Sequence, residues 1–517
     1  MMDDILHWRT LVELGVVCFV CIVGVKWIWS KALGNEAKLP YPPGPTAKSW
    51  VAGNLSDMPL EGQWFLFTEW AKVYGDLTYL RVLQNHIVVI NNLEVATELL
   101  EKRSNNYSSR PNFPMADLMG WDFSSTFKLY GDTWRSHRRM FQQYFRPEVV
   151  RNYEGIQIQK NYDMLFQLLN DPENFMSHIR HSSGAIILSA LYGLDVAVKN
   201  DPYVSIAKKA MDNLTQAMFP GTFLVNTIPF LRFVPEWFPG TSFKRFARET
   251  KVYTDQMLNG PIEKVQQLMG MEGVRPCIAA DMLENLRSEK ELEDIKCVCA
   301  TSYAGGADTS VSSVSTFFYA MVNFYDVQKK AQDEIDRVIG SERLPDFQDR
   351  SSLPYCEALL RETLRWRPIL PLGVAHTASK EDIFQGYYIP KGTTLMPNIW
   401  GMTRDTSRYD DPEAFNPSRF FDKNGSLNND NVDYVFGFGR RICPGRHLAS
   451  ATVWLSIVTV LATFDIRKKK DGLGKDIPVD GGYTKAILIH PLPFECSLSP
   501  RSKTAEALIR DAVPQLD

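Results

Sequence analysis

The first strong pattern in the chain is an apolar run from Leu14 to Val25. With its apolar flanks it approaches the length of about 20 residues that spans a bilayer. Asp3 and Asp4 lie ahead of it, whereas a cleaved signal peptide has a basic segment there and a small-residue cleavage site afterwards. Lysines follow the run and place its carboxyl side in the cytosol. We therefore expect residues 1–31 to hold a retained, single-pass transmembrane helix, with the rest of the chain on the cytosolic face.

The chain beyond this run has the pattern of one large unit. Residues 32–45 include the proline-rich stretch Leu39–Pro45, which predicts a stiff, non-helical hinge. Residues 46–517 show no internal repeat or linker, so we expect a single domain there. Most of it has helical periodicity, and short runs predict β-strands at Leu77–Val82, His86–Asn91, Gly386–Asn398 and Lys485–Leu498. The pattern predicts a mainly α-helical fold with a small β lobe.

Composition limits the size of the core, the expected partners and the redox compartment of the protein. With 517 residues, 44% of them hydrophobic and 12% aromatic, the chain can bury a large core. A formal net charge of -3 gives no basic excess of the kind that nucleic-acid binders carry, so nucleic acid is not an expected partner. The eight cysteines are scattered without disulfide or zinc spacing, which is typical of a reducing compartment.

The densest chemical signal is the stretch Phe436–Gly445, FGFGRRICPG, which we call the cysteine loop. It places one cysteine among four glycine and proline residues, ahead of a predicted apolar helix from His447 to Phe464. A thiolate bound to iron needs such a loop, because glycines let the backbone approach the metal and turn its N–H groups toward the sulfur. The positive end of the following helix would lie near the thiolate. The alternative is a buried structural cysteine.

The cysteine loop resembles that of the cytochromes P-450, the haem-thiolate monooxygenases. The resemblance implies that Cys443 is the axial ligand of the iron in a haem b group. It also implies that Phe436, Gly439 and Gly445 contact this cofactor.

A predicted helix from Leu292 to Phe318 carries a second motif, AGGADTS, at Ala304–Ser310. Adjacent glycines inside a helix cost about 1 kcal/mol each relative to alanine, so we expect another group to pass close to this backbone. The resemblance implies that Gly305 faces the haem and that Asp308 and Thr309 are the acid–alcohol pair that relays protons during dioxygen reduction. The alternative, a solvent-facing pair, is disfavoured by the apolar sequence that follows.

Further positions match the family's contacts to the haem carboxylates. Trp134 and Arg138 are four residues apart and share a helical face, like the family's W-x-x-x-R helix. Arginine suits a carboxylate because its charge is permanent and its donors are forked. The resemblance implies Arg441 as a second partner and His376 as a third, although an ordinary strand histidine remains the alternative for His376.

One further motif has a structural role in the family. Glu362 and Arg365 are three apart in RETLRWRP and, with Arg419, resemble the Glu-Arg-Arg network that ties a helix to the loop before the cysteine. We expect these three residues to stabilise the haem pocket. Outside this context, an exposed pair of this kind would contribute little.

The resemblance covers nearly the whole chain and implies the P-450 fold of a microsomal enzyme like those of fungi, in the endoplasmic reticulum membrane. No dinucleotide-binding fingerprint is present, so we expect electrons from a separate NADPH-cytochrome P-450 reductase. Its docking patch is expected at four arginines, which alternatively solvate helices or bind the propionates: Arg135, Arg139, Arg440 and Arg446.

Two other functions would use a similar site. A haem-thiolate isomerase or dehydratase would not need the proton relay, and a non-catalytic haem-binding protein would need neither a substrate cavity nor a reductase. The hydrolase motifs G-x-S-x-G and H-E-x-x-H do not occur. The favoured function is therefore the insertion of one atom of dioxygen into a small molecule.

The expected substrate is hydrophobic, because three segments that should line the distal cavity are largely apolar: Pro111–Gly120, Pro368–Val374 and Ala486–Ile489. A terpenoid or similar polycyclic secondary metabolite is favoured, with an aromatic or alkaloid compound second. The aromatic-rich stretch Met218–Gly240 predicts a surface that enters the bilayer, for attachment or for substrate entry. With the domain in the cytosol, four N-x-S/T sequons should stay unglycosylated: Asn54, Asn106, Asn213 and Asn424.

Overall fold

The structure is a computed structural model that describes residues 39–197, 201–218, 222–271 and 275–513. The predicted transmembrane segment at residues 1–31 lies outside these ranges. Within them, one helix is long and apolar enough to cross a membrane, Arg446–Thr463, and 67% of it is buried inside the protein. This degree of burial is that of a helix in a protein core.

The described chain is mainly helical, as predicted. We number the α-helices of seven or more residues α1 (Gln63–Tyr74), α2 (Asp132–Phe145), α3 (Glu154–Asn170), α4 (Phe175–Tyr192), α5 (Pro202–Met218), α6 (Ser242–Gly270), α7 (Ile278–Glu284), α8 (Glu289–Asn323), α9 (Tyr325–Val338), α10 (Pro354–Trp366), α11 (Arg446–Thr463) and α12 (Lys503–Asp511). The strands are β1 (Leu77–Val82), β2 (Asn85–Ile90), β3 (His376–Thr377), β4 (Asp382–Phe384), β5 (Tyr387–Ile389), β6 (Thr394–Pro397), β7 (Phe464–Lys468) and β8 (Cys496–Pro500).

Helix α8 is the central element and packs against α2, α4, α10 and α11. It begins where the Ser288 hydroxyl accepts a hydrogen bond from the Glu291 N–H, a typical helix cap. Every residue from Ser310 to Val322 is buried, so this half of the helix is surrounded by protein on all sides. The predicted helix over Leu292–Phe318 is confirmed, and the structure extends it at both ends.

Four strands form the larger sheet, in the order β1-β2-β6-β3. Strands β1 and β2 are antiparallel, whereas β2 and β6 are parallel. The proline-rich stretch Leu39–Pro45 has no regular secondary structure and packs on this sheet. The Pro43 carbonyl accepts a hydrogen bond from the Tyr79 N–H at 2.8 Å, and the Tyr41 ring stacks on the Tyr79 ring with centroids 4.8 Å apart. This part of the predicted hinge is therefore attached to the β lobe.

The prediction of strands across Lys485–Leu498 is wrong for most of that segment. Regular strand structure begins only at Cys496, in β8, which pairs with β7. Before it, the Ile489 N–H donates to the Ile369 carbonyl at 2.9 Å, and the Ile489 carbonyl accepts from the Ser312 hydroxyl at 2.6 Å. Leu488 and Ile489 are thus buried, with Ile489 bonded to α8, although they do not belong to a regular strand. An apolar run alone does not distinguish this case from a strand.

Candidate active site

A cavity of about 320 Å³ lies between helices α2, α4, α8 and α11 and the cysteine loop. Its lining brings together most of the residues singled out in the sequence, including Cys443, Phe436, Trp134, Arg138 and Thr309. A volume in this range suits a small molecule or a cofactor. Motifs from distant parts of the chain therefore meet at one site.

The Cys443 thiol is positioned by the end of its own loop. The Cys443 N–H donates to the Phe436 carbonyl at 2.8 Å, which closes the loop, and α11 begins three residues later with Gly445 as its N-cap. Burial raises the pKa of the thiol above its ordinary value, and the Gly445 N–H and the charges of Arg138 and Arg446 offset only part of this increase. A cation bound at the sulfur would favour the thiolate.

Two glycines of the cysteine loop have different environments. Gly439 has a φ of 52°, and a Cβ there would lie 2.3 Å from the Leu100 carbonyl oxygen, so only glycine fits. It does not line the cavity. Gly445 does line it, and no atom lies within 4 Å of the position that its Cβ would take. Gly439 thus attaches the loop to the β lobe, while Gly445 leaves space at the cavity wall.

The adjacent glycines of α8 also face different neighbours. Gly305 lines the cavity with no atom within 4 Å of its missing Cβ. A Cβ at Gly306 would lie 2.8 Å from Cγ1 of Ile187 on α4. The close approach predicted for this backbone is therefore made by helix α4 at Gly306, and the space beside Gly305 belongs to the cavity.

Three arginines that line the cavity have no carboxylate partner among the described residues. Arg138 donates to the Ile442 carbonyl at 2.6 Å. Arg110, which the sequence analysis did not identify, donates to the carbonyls of Val374 (2.7 Å) and Ala375 (2.9 Å). Arg441 donates only to carbonyls as well. The three side chains form a cationic edge of the cavity.

This cationic edge lacks a negative partner. Burial lowers the pKa of Arg110 to about 9 and that of Arg441 to about 8, and the two guanidinium groups oppose each other's charge. Buried positive charge without a counter-ion is unfavourable. The edge is therefore suited to a ligand that brings carboxylates, which the propionates of haem would do.

Trp134 and His376, the other predicted carboxylate contacts, line the same cavity. The guanidinium of Arg441 lies 4.3 Å from the centroid of the Trp134 ring. The Nδ1–H of His376 donates to the Tyr107 carbonyl at 2.7 Å. Burial and the charges of Arg110 and Arg441 hold the pKa of His376 well below its ordinary value. His376 is therefore neutral, with its Nε2 free of a proton.

Helix α8 presents Thr309 to the cavity and Asp308 elsewhere. The Thr309 hydroxyl donates to the Gly305 carbonyl at 2.6 Å. The Asp308 carboxylate pairs with Arg180 Nη1 at 2.8 Å and His490 Nε2 at 3.1 Å, and it does not line the cavity. Burial raises the pKa of Asp308, but the hydrogen bond from His490 and the charge of Arg180 have a larger, opposite effect. The pKa of Asp308 is therefore well below the ordinary value of an aspartate. Consecutive helical residues point about 100° apart, which separates the predicted pair.

The Glu-Arg-Arg network lies outside the cavity. The side chains of Glu362 and Arg365 are fully buried on α10, with Arg365 Nε 2.7 Å from the carboxylate, and Arg419 Nε lies 3.2 Å from it. Its position, between α10 and the segment that leads to the cysteine loop, agrees with a structural role.

Of the three segments predicted to line the distal cavity, only Pro368–Val374 does so. Its lining residues are Ile369, Leu370, Gly373 and Val374. No residue of Pro111–Gly120 or Ala486–Ile489 lines the cavity, and the prediction for these two segments is wrong. Met115 and Ile489 are instead buried in apolar clusters, where their hydrophobic side chains pack against neighbouring elements.

Three of the four arginines of the expected docking patch lie at or near the cysteine loop: Arg440 belongs to it, Arg446 Nη1 donates to the Cys443 carbonyl, and Arg135 stacks on the Tyr130 ring that Arg440 also contacts. Arg135, Arg139 and Arg440 are exposed and Arg446 is half-buried. Arg135 pairs with Asp132, which compensates part of the charge. Of the four, only Arg446 contacts the Cys443 backbone, at 3.3 Å from its carbonyl oxygen.

Arg110, Arg180 and His490 contact the predicted site residues but belong to no short motif. His490 is a lone polar residue in the apolar stretch AILIHPLPF, and its imidazole was the one signal that the sequence offered there. Arg110 and Arg180 lie among other polar residues, in SSRPN and HIRHSS, so their sequence context gave no signal.

Comparison with known proteins agrees with this geometry. The sequence model of the family Cytochrome P-450 matches residues 42–497. Cytochrome P-450 monooxygenase 98 of Postia placenta is 39% identical over 489 residues, which cover 92% of this chain and 93% of that protein. Cytochrome P-450 monooxygenase COX1 of Coprinopsis cinerea is 38% identical over 515 residues, 97% of this chain and 99% of that protein. Cytochrome P-450 monooxygenase ppsD of Aspergillus oryzae is 39% identical over 480 residues, 90% of each.

The family implies a haem cofactor, and the residues present fit one. A cysteine thiol lies at the wall of the cavity, and three arginines without carboxylate partners among the described residues lie at its edge. The extent of the family match and the identity to full-length relatives lead to one conclusion: the chain belongs to the cytochrome P-450 family.

Proposed function

We propose that this protein is a haem-thiolate monooxygenase that uses NADPH and dioxygen to insert one oxygen atom into a hydrophobic small molecule. The observation that carries the proposal is one cavity that joins the Cys443 thiol to an edge of three arginines with no carboxylate partner among the described residues. The relatives named above are all monooxygenases, which supports the proposal.

Haem b, when bound, would supply the reductive splitting of dioxygen, with the second oxygen atom leaving as water. Cys443 would hold its iron through the sulfur, and the cationic edge would bind its carboxylates, flanked by Trp134 and His376. Gly305 leaves room beside the cofactor on α8. The largely apolar cavity walls would limit the access of bulk water to the reacting centre.

Thr309 and Asp308 are the proposed proton-delivering residues. The Thr309 oxygen lies at the cavity and keeps lone pairs that can accept a hydrogen bond, because its own hydrogen is directed to the Gly305 carbonyl. Asp308 lies one residue away, held by Arg180 and His490. An isomerase or dehydratase would need no such donor at this position.

The test of the proposal is the absorption band of the reduced, carbon monoxide-bound protein. The wild-type chain should give the band that characterises thiolate-ligated haem. Cys443→Ala should lose this band, and the half-buried Cys277→Ala is the matched control that should keep it. A Cys443→Ala variant with an unchanged band would refute the ligand assignment and, with it, the proposed function.

The substrate class is proposed as a terpenoid or similar polycyclic secondary metabolite. Ile369, Leu370 and Val374 supply apolar contacts on one wall of the cavity. Helix α8 also presents Thr301 and Ser302 to the cavity, and their small side chains leave room for a bulky ring system. Spectral titrations with terpenoids, polycyclic aromatics and charged amino acids would test this, and tight binding by the amino acids alone would refute it.

The proposed location is the endoplasmic reticulum membrane. The single domain proposed for residues 46–517 would lie on the cytosolic face, with NADPH-cytochrome P-450 reductase as its partner at the arginine patch. Within Met218–Gly240, the side chains of Phe230, Phe233 and Trp237 are 65%, 72% and 76% exposed. Exposed aromatic side chains so close together in the sequence support the proposal that this surface enters the bilayer.

Glycosylation tests this topology. Among the sequons, Asn424 is exposed in a turn, whereas Asn54 is 2% exposed and hydrogen-bonded, so Asn424 is the sensitive reporter. The cytosolic placement predicts no change in gel mobility after glycosidase treatment of the expressed chain. A mobility shift that Asn424→Gln abolishes would place the domain in the lumen.

A further inference from the structure

His137 is a buried residue that the proposed chemistry does not use. It lies on α2 between Trp134 and Arg138, is fully buried, and does not line the cavity. Its Nδ1 is 2.7 Å from Ser125 Oγ, and its Nε2 is 3.1 Å from Asp294 Oδ1 on α8. These two contacts join α2 to a loop and to the central helix.

The direction of these hydrogen bonds follows from the partners. A carboxylate only accepts, so the proton of His137 is on Nε2 and is donated to Asp294. Burial lowers the pKa of His137, and the opposing effect of Asp294 is smaller. The imidazole is therefore neutral, its Nδ1 accepts, and the Ser125 hydroxyl is the donor.

Ser125 connects this network to the cationic edge. Its N–H donates to Thr301 Oγ1 at 3.1 Å, and its carbonyl accepts from Arg441 Nη1 at 3.1 Å. Arg441 Nη2 donates to the Lys128 carbonyl at 2.7 Å, and Nε donates to the Ser108 carbonyl at 2.7 Å. The loop that Ser125 begins therefore holds both terminal nitrogens of the guanidinium.

The number of unused N–H donors on Arg441 shows how this side chain could bind a carboxylate. A guanidinium has five N–H donors, and three of them are used, one on each nitrogen. The two that remain are one on each terminal nitrogen, and one carboxylate can accept from both where they point in the same direction. Their direction depends on where the carbonyls of Ser125 and Lys128 lie.

We propose that His137 and Asp294 are positioning residues for the cofactor: they fix Ser125, and its carbonyl directs the free donors of Arg441 toward a haem carboxylate. The inference rests on the proposed function. It assigns a role to a histidine and an aspartate that touch neither the cavity nor Cys443.

Two isosteric variants separate the contacts of His137. Asn places its amide near the Nδ1 position and can keep the bond to Ser125, whereas Gln reaches the Nε2 position and can keep only the bond to Asp294. The measurement is the rate of haem transfer from the loaded protein to excess apomyoglobin, with urea unfolding of each variant alongside. Thr133→Ala, exposed on the same helix, is the control.

We expect His137→Gln and Ser125→Ala to release haem about tenfold faster than wild type, a coupling of the size measured for residues in one network. His137→Asn should release it more slowly than His137→Gln, and Thr133→Ala should match wild type. In an Arg441→Ala background, His137→Gln should add no further acceleration, because the effect passes through Arg441.

The inference would be overturned if His137→Gln accelerated haem release as much in the Arg441→Ala background as in the wild type. It would also be overturned if the release rates of the variants followed their urea stability alone. Either result would leave the proposed function intact. A wild-type chain that takes up no haem would instead refute both.

Discussion

Replacing Glu362 by glutamine should cost a large part of the stability of this protein. The Glu362 carboxylate accepts four hydrogen bonds: from Arg365 Nε (2.7 Å) and Nη2 (2.9 Å), from the Asn416 N–H (2.7 Å) and from Arg419 Nε (3.2 Å). Arg365 uses all five of its donors, with the other three directed to backbone carbonyls. Both side chains are fully buried.

The magnitude follows from this geometry. Glutamine keeps the shape but turns one acceptor oxygen into a donor, which then faces another N–H group, and it removes the negative charge beside two guanidinium groups. Breaking one partner of a buried ion pair costs about 3–5 kcal/mol. That loss is large against the 5–15 kcal/mol typical of total stability. Replacing Glu362 and Arg365 together by apolar residues should not restore stability, because three backbone carbonyls would lose their donor.

The assay is equilibrium urea unfolding, followed by tryptophan fluorescence and far-ultraviolet circular dichroism at equal haem content. The matched control is Glu69→Gln, which removes an ion pair with Lys72 whose side chains are 65% and 67% exposed. An exposed pair of this type contributes at most about 1 kcal/mol. If Glu362→Gln lowers the free energy of unfolding by no more than the control does, the reasoning from burial and satisfied donors is wrong.

Two further predictions concern α8. In urea unfolding, Gly306→Ala should destabilise the protein by about 1 kcal/mol, because overpacking against Ile187 outweighs the gain in helix propensity. Gly305→Ala should be neutral or stabilising, because no atom lies near its Cβ position. Equal effects of the two substitutions would argue against the close contact at Gly306. Because its partners lower the pKa of Asp308, that ion pair stabilises the fold above the unfolded-state pKa near 4 and loses its effect as pH falls. The difference in unfolding free energy between wild type and Asp308→Asn should therefore be full at pH 7 and shrink below about pH 4, and a constant difference would contradict the ionic cause.

The sequence predicts those parts of the site that depend on the spacing of residues close together in the chain. Trp134 and Arg138 share a helical face because they are four residues apart, and both reach the cavity. The cysteine loop is similar, since glycine and proline restrict its backbone within ten residues. The mainly helical fold follows from periodicity in the same way. These features depend on residues that are near in sequence, so the pattern is sufficient.

The parts that sequence reasoning missed depend on contacts between distant segments. Arg180 and His490 reach Asp308 from 128 and 182 residues away. Only the packing of α4 and of the segment before β8 against α8 brings them together. The separation of Asp308 from Thr309, in contrast, follows from helical geometry alone and was accessible from the sequence.

The structure couples the two attachment points that a haem would use. Cys443 and Arg441 are two residues apart in a loop that is closed by the bond from Cys443 to the Phe436 carbonyl. Gly439 lies against the Leu100 carbonyl, so the loop has little freedom to shift without a backbone collision. A change that moves Cys443, the proposed metal ligand, must then also move Arg441, the proposed carboxylate partner. The loop therefore fixes the distance between the two attachment points before any cofactor binds, which is the condition for a preorganised site.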